Sequence, residues 1–167
     1  DTDKCPLCDS CTETRAHILQ CNDPAAKTFR DKLLLEFRTE LYKIHTYPFL
    51  VNQLLRMLRR YHAGLEVEAL ADSDVLDEDI RYVNTINTIR SFGIDNLLSA
   101  VVTTHLTQIQ HDHILDNGLS KSIHIIGWTR SIIKLLLEYT NKIWIHRSSI
   151  LHNREELTRD TMVRNQA

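Results

Sequence analysis

Cys5, Cys8, His17 and Cys21 carry the clearest chemistry in this chain, in the order C-x2-C-x8-H-x3-C within seventeen residues. Thiolate and imidazole are the donors that a tetrahedral zinc ion prefers, so residue type alone points to a metal. The two-residue spacing lets both thiolates approach one ion from a tight knuckle, which Pro6 stiffens by fixing its backbone φ. The three-residue spacing brings His17 and Cys21 to one face of a helical turn. The expected cofactor is a structural Zn2+ held by Cys5, Cys8, His17 and Cys21.

Disulfides are the competing use of these thiols. All four cysteines fall within the first 21 residues, whereas a secreted fold spreads its bridges through the chain. Cys8 and Cys11 form a second knuckle of the same spacing, so choosing Cys5 and Cys8 leaves Cys11 as a spare thiol. No secretory leader or membrane-length apolar run is visible, and the reduced thiols that zinc requires suit an intracellular location, nucleus or cytoplasm. Neither a membrane nor a small-molecule substrate is expected as a partner.

Other reactive residues form no recognisable set. His111 and His113 stand two apart on a helical stretch, where they point to different faces and remain surface residues. His105 falls on an apolar stripe and reads as a hydrogen-bonded core histidine. The acidic run of Glu66, Glu68, Asp72, Asp74, Asp77, Glu78 and Asp79 lacks the spacing and closing glutamate of a calcium loop. No Ser-His-Asp or Cys-His order stands out, and thiolates committed to zinc make poor nucleophiles. The chain is expected not to be an enzyme.

The elements that must position the four donors are helices. A hydrophobic fraction of 43% supports a core, and only four glycines and three prolines leave few breaks for strands. The expected fold is all-α: an N-terminal CCHC zinc knuckle followed by a bundle of about five helices. Residues 1–23 form the zinc module. Asn22-Asp23-Pro24 starts a helix over residues 24–45, with Phe29, Leu33, Phe37, Leu41 and Ile44 at helical spacing. Thr46-Tyr47-Pro48 starts the next helix by the same cap-and-proline logic. It ends at Gly64, which makes 24–64 an antiparallel hairpin. The acidic residues 65–79 read as a mobile linker. A three-helix segment follows over 80–153: one helix stopping near Gly93, one from Ile94 to Asn117-Gly118, and a long last helix from about residue 121. Residues 154–167 read as a polar, fraying tail.

The net charge of −2 predicts no general attraction to nucleic acid, but charge is unevenly spread. Residues 27–60 hold eight basic and three acidic groups, net +5, and residues 121–167 hold eight and four, net +4. Residues 64–118 hold two and ten, net −8. The basic segments either face nucleic acid or neutralise the acidic middle and decorate solvated helices, and the second reading is favoured.

Beyond donor chemistry, Cys5-Pro6-Leu7-Cys8, Glu13-Thr14 and His17-Ile18-Leu19-Gln20-Cys21 together resemble the zinc-binding module near the C-terminus of reverse-transcriptase-like proteins of non-LTR retrotransposons. That family recurs in a Cys-Pro-x-Cys knuckle, an acidic-Thr/Ser pair, then His, two apolar residues and a final Cys. Trp144-Ile145-His146-Arg147 and Leu151-His152 are similar to the Trp-x-x-Arg-Asn-x-x-Leu-His ending of such chains, with Ser148 in place of Asn. Residues 89–110 loosely resemble their Gln-rich helical middle. The resemblance implies a region downstream of a polymerase, which would be a partner, and a role near RNA or DNA. It supplies no catalysis, because neither the Tyr-x-Asp-Asp type motif nor a nuclease carboxylate set occurs here.

Two functions follow as expectations. In the first, the chain is a non-catalytic zinc-binding module that assists RNA or DNA binding. Arg15, Lys27, Arg30 and Lys32 would contact phosphates, and Trp144 with Arg147 would stack on bases. In the second, it is a helical interaction or scaffolding domain with a purely structural zinc. For Trp144 alone, the favoured reading is an anchor in the core, with Arg147 bonding nearby carbonyls.

Overall fold

The computed structural model describes residues 4–164. Seven α-helices follow one another: α1 Arg15–Gln20, α2 Pro24–Lys43, α3 Pro48–His62, α4 Val83–Phe92, α5 Ile94–Leu98, α6 Thr104–Asp116 and α7 Ile125–Arg164. No strand forms among the described residues, and the single antiparallel bridge joins Lys4 to Thr12. The fold is all-α, as expected. None of the helices among the described residues is long and apolar enough to cross a membrane.

The second helix begins where sequence placed it, and the first, whose start sequence did not place, opens with the same kind of cap. Thr14 caps α1 by accepting from the His17 N–H at 3.1 Å, and Asp23 caps α2 by accepting from Ala26 N–H at 3.0 Å. The third start has another mechanism. Tyr47 is the cap residue of α3 and makes no side-chain cap, while the Thr46 hydroxyl accepts the Trp128 indole N–H at 3.1 Å. The corner is held from α6 instead. Fully buried Gln110 accepts from the Tyr47 N–H at 2.8 Å and donates to the His45 carbonyl at 3.0 Å. A buried amide with both ends satisfied fixes this turn between α2 and α3.

α2 lies along α3 and α7, and α4 packs on α6. Leu33, Phe37 and Leu41 of α2, Leu50, Leu54 and Leu58 of α3, and Trp128, Ile132, Leu136, Tyr139 and Ile143 of α7 share one core. Their spacing of three and four residues is the periodicity that turns one helix face inward.

Five expectations need correction. The helix expected from Ile94 to Asn117 is broken: Ala100 takes φ +60°, the Val101 N–H returns to the Asn96 carbonyl at 3.0 Å, and Thr103 caps a new helix. The apolar spacing runs unbroken through this stop, so periodicity could not reveal it. Val101 and His105 consequently sit exposed, and His105 is no core histidine. The helix expected from residue 80 begins at Val83, after a 3-10 segment over Asp77–Tyr82. Residues 65–79 are no free linker. Arg60 donates to the Glu66 carbonyl at 2.6 Å, Arg90 to the Val67 carbonyl at 3.0 Å, and Asn87 makes two hydrogen bonds to the backbone of buried Leu70. Finally, α7 continues through Arg164 where a polar tail was expected after Asn153, and residues 165–167 of that tail lie outside the described residues.

Candidate metal centre

The N-terminal segment is folded by its own backbone around the four donors. The Cys5 N–H donates to the Cys11 carbonyl at 2.7 Å, and the Asp9 N–H donates to the Cys5 carbonyl at 2.8 Å. Asp9 takes φ +54°, a left-handed conformation that Asp tolerates better than most residues, and this closes the knuckle. α1 then carries His17 in its first turn and delivers Cys21 just beyond its last.

The donor atoms of Cys5, Cys8, His17 and Cys21 all lie within 4.8 Å of one another. The Cys5 and Cys21 sulfurs are 3.8 Å apart, and Cys8 Sγ stands 3.3 Å from His17 Nε2. A disulfide would need about 2.05 Å. Two metal–sulfur bonds of about 2.3 Å at a tetrahedral angle need a separation of about 3.8 Å. The geometry therefore fits a four-coordinate metal site rather than a bridge. Cys11 stays exposed outside the cluster, so the second knuckle is not used for ligation. Its backbone is used, through the carbonyl that receives Cys5.

The electrostatics divide the thiols. A hydrogen bond from the Ser10 hydroxyl, 3.1 Å from Cys8 Sγ, lowers the Cys8 thiol to about 6. Burial pushes Cys21 up to about 12. Cys8 thus offers a thiolate readily, whereas Cys21 gives up its proton only when a cation compensates the buried charge.

Two side chains bind this module to the body: Arg30, which sequence placed at nucleic acid, and His62, which sequence reasoning overlooked. The Arg30 Nη2 donates to the Cys21 carbonyl at 2.6 Å. His62, at the end of α3, meets the Leu19 carbonyl at 2.6 Å through Nδ1 and the Tyr139 hydroxyl at 2.6 Å through Nε2. A carbonyl only accepts, so Nδ1 carries the proton and Nε2 accepts from Tyr139. Burial holds this imidazole down at about 4, keeping it neutral. Its position four residues after Leu58 on the apolar stripe was the available signal. Ile150 of α7 packs on the small cluster of Cys5, Leu7, Cys21 and Ala26, and His146 stacks on Phe29 with ring centres 3.9 Å apart.

No family model, curated protein or solved structure matches this chain.

The six residues expected at nucleic acid fall into separate places. Arg15 is exposed and lines an apolar cavity of about 440 Å³ together with Trp144. Trp144 is 51% exposed, so it does not anchor α7 in the core; the inward positions on either side are taken by Ile143 and Ile150. The Arg147 guanidinium stands 5.4 Å from the Trp144 ring centre and pairs with the Glu13 carboxylate rather than with carbonyls. Lys27 is exposed, and Lys32 faces Glu36 at 4.0 Å. Arg30 is only 3% exposed and is therefore absent from any open surface that a strand could follow.

Proposed function

We propose that this chain is a non-catalytic zinc-binding module of a reverse-transcriptase-like retroelement protein, acting beside a polymerase and assisting the binding of RNA or DNA. The observation that carries this reading is the pairing of Glu13 with Arg147. It joins the two stretches that resemble the retroelement proteins, although 134 positions separate them. The same contact sets Trp144 half-exposed between Arg147 and Arg15's cavity. A half-exposed ring flanked by guanidinium groups suits an unstacked base.

Zinc is the metal proposed for the cluster. Three thiolates and one imidazole are its preferred donor set, and four protein ligands leave no open position for a substrate or an activated water. Cys5, Cys8, His17 and Cys21 would hold it, and its contribution is folding free energy rather than chemistry.

The test is titration of fluorescent single-stranded RNA with zinc-loaded protein across a series of salt concentrations. Affinity should fall linearly on a logarithmic salt scale. Trp144→Ala should weaken binding by about 1–3 kcal/mol. If no binding is detected at low salt, the second reading replaces the first. That reading is a helical scaffolding domain with a structural zinc. The half-exposed Leu137, Trp144 and Ile145 of α7 favour it as a protein-facing apolar stripe.

A further inference from the structure

Where α3 begins, a cavity of about 430 Å³ opens against residues 74–79, with Tyr47, Phe49, Gln53, Asp74, Glu78 and Asp79 in its lining. Its charge is one-sided. Three carboxylates line it, and no lining residue among those described is a cation. None of the three joins an ion pair among the described residues. The Asp74 carboxylate receives only the Ala71 N–H, at 3.2 Å, and the exposed Glu78 carboxylate receives no hydrogen bond among the described residues.

Asp79 is the unusual member, because it is only 6% exposed. Its Oδ1 accepts from the Tyr47 hydroxyl at 2.5 Å, whereas Oδ2 has no partner among the described residues and is not sealed from solvent. A carboxylate held this deep, with one oxygen unmet and reachable, calls for a cation. Tyr47 does not supply the charge: burial, helped by Asp79 and Glu78, pushes its hydroxyl up and keeps it a neutral donor. Gln53 is a second buried group without a partner. It is 8% exposed, its side chain makes no hydrogen bond among the described residues, and Oε1 is sealed without a donor. Nε2 is the open end, and a half-turn of the carboxamide brings the acceptor to the cavity in its place.

We propose that this cavity takes the guanidinium of an arginine carried on a basic segment of a partner polypeptide. Asp79 Oδ2 and the Glu78 carboxylate receive its N–H groups, and the Tyr47 and Phe49 rings, 5.9 Å apart, pack its plane and stem. A divalent metal ion fits less well, because hard cations demand a full shell of oxygens and Phe49, Val75 and Leu76 of the lining supply none. Beside the cavity, Leu76 is 69% exposed and the Asp72 and Asp77 carboxylates are unpaired among the described residues. The same mixture of apolar and acidic surface thus continues beyond the arginine, as a basic chain requires. The site shares no residue with the metal cluster or the Trp144 surface, so it does not depend on either reading of α7.

The experiment is an NMR titration of the full zinc-loaded chain with an acetylated, amidated pentapeptide carrying two arginines. The expected result is saturable binding that shifts the backbone amides of Phe49, Gln53 and Glu78 and the side-chain amide of Gln53. Asp79→Asn keeps an acceptor for Tyr47 and should weaken binding by about tenfold. Asp74→Asn/Glu78→Gln, altered only at exposed positions, should weaken it by about fivefold. Asp72→Asn/Asp77→Asn removes the same charge outside the cavity and should change it by less than about twofold. Separate arms replace the peptide by spermidine and by calcium chloride, and both should need higher concentrations to shift these amides. The proposal is overturned if the peptide gives no saturable shift, or if the two double variants weaken it equally. It is also overturned if spermidine or calcium saturates the same amides at the same or lower concentration.

Discussion

The N-terminal module and the helical body solve the same problem at different scales. The body closes over a continuous apolar core in which Leu41, Leu50, Leu58, Leu106, Ile132 and Leu136 are wholly buried. Ile18 and Leu19 of the module join the body's core, and its own small cluster is Cys5, Leu7 and Cys21 against Ala26 of α2, with two of these metal-donor residues. A segment this short offsets little of its chain entropy by its own burial, so a metal held by the four donors would supply folding free energy there. The body needs no such help. The contrast shows which part of the chain is conditional and which is self-sufficient.

The most severe way to break this contrast is to remove the metal. Structural zinc contributes about 10–16 kcal/mol in small finger peptides, more than any other single interaction here. In Cys21→Ser, or after chelation, residues 5–20 should lose hydrogen-exchange protection while the core of α2, α3 and α7 keeps it. Elemental analysis of the wild type should give one zinc per chain. Uniform loss of protection, or none, would remove the distinction between the two regions.

Leu50→Ala probes the other side. It should cost the body about 2–5 kcal/mol in urea unfolding, because Leu50 is fully buried, while zinc stoichiometry stays at one. A drop in zinc content alongside would mean that the body and the module fold as one unit.

His62 spans both regions, and its behaviour with pH measures how far they are coupled. Its folded value of about 4 lies below the 6.5 of an unperturbed imidazole, so the unfolded chain binds the extra proton. Its contribution is fully present above about pH 6.5 and is lost as pH falls towards 4, a total of about 3 kcal/mol. Because zinc release also responds to acid, the informative quantity is the difference in pH slope between wild type and His62→Gln. Identical slopes would show that the imidazole is not held neutral.

Smaller effects belong to the seam and the spare thiol. Arg147→Ala should cost about 2 kcal/mol, since the Glu13 pair is charge-assisted and largely shielded. The loss should appear as faster hydrogen exchange in α1, with recovery in the swapped Glu13→Arg/Arg147→Glu double variant. Cys11→Ser should change stability by no more than about 0.5 kcal/mol and leave zinc affinity intact, because its carbonyl holds the knuckle while its thiol meets only the exposed Ser10 hydroxyl. Loss of affinity would move Cys11 into the ligand set.

The two regions also differed in how far their sequence could be read. The donors of the module are set by residue type and local spacing, and the knuckle, the Thr14 cap and the His17–Cys21 turn are all short-range. In the body, the helices were legible from periodicity, but their interruptions were not. Ala100 stops a helix in a conformation that sequence would assign to glycine, at a cost of about 1–2 kcal/mol that the packing on both sides offsets. The fasteners between the regions were hidden for a related reason. Arg30 and His62 look like surface residues until distant carbonyls and a hydroxyl meet them, and the same holds for Gln110 within the body. Trp144 misled in the opposite direction, since an indole on an apolar helix reads as core.

The unbroken course of α7 turns the chain into a ruler. Tyr139 and Ile143 are fixed in the body, and Arg147 and Ile150 reach the Cys/His module from the same rigid rod. Each residue of a helix advances about 1.5 Å and rotates about 100°. Deleting one residue between Ile143 and His146 would therefore swing the knuckle-facing side chains a quarter-turn away, with every contact on either side chemically intact. In this interval the gauge between the body and the Cys/His module admits only one setting.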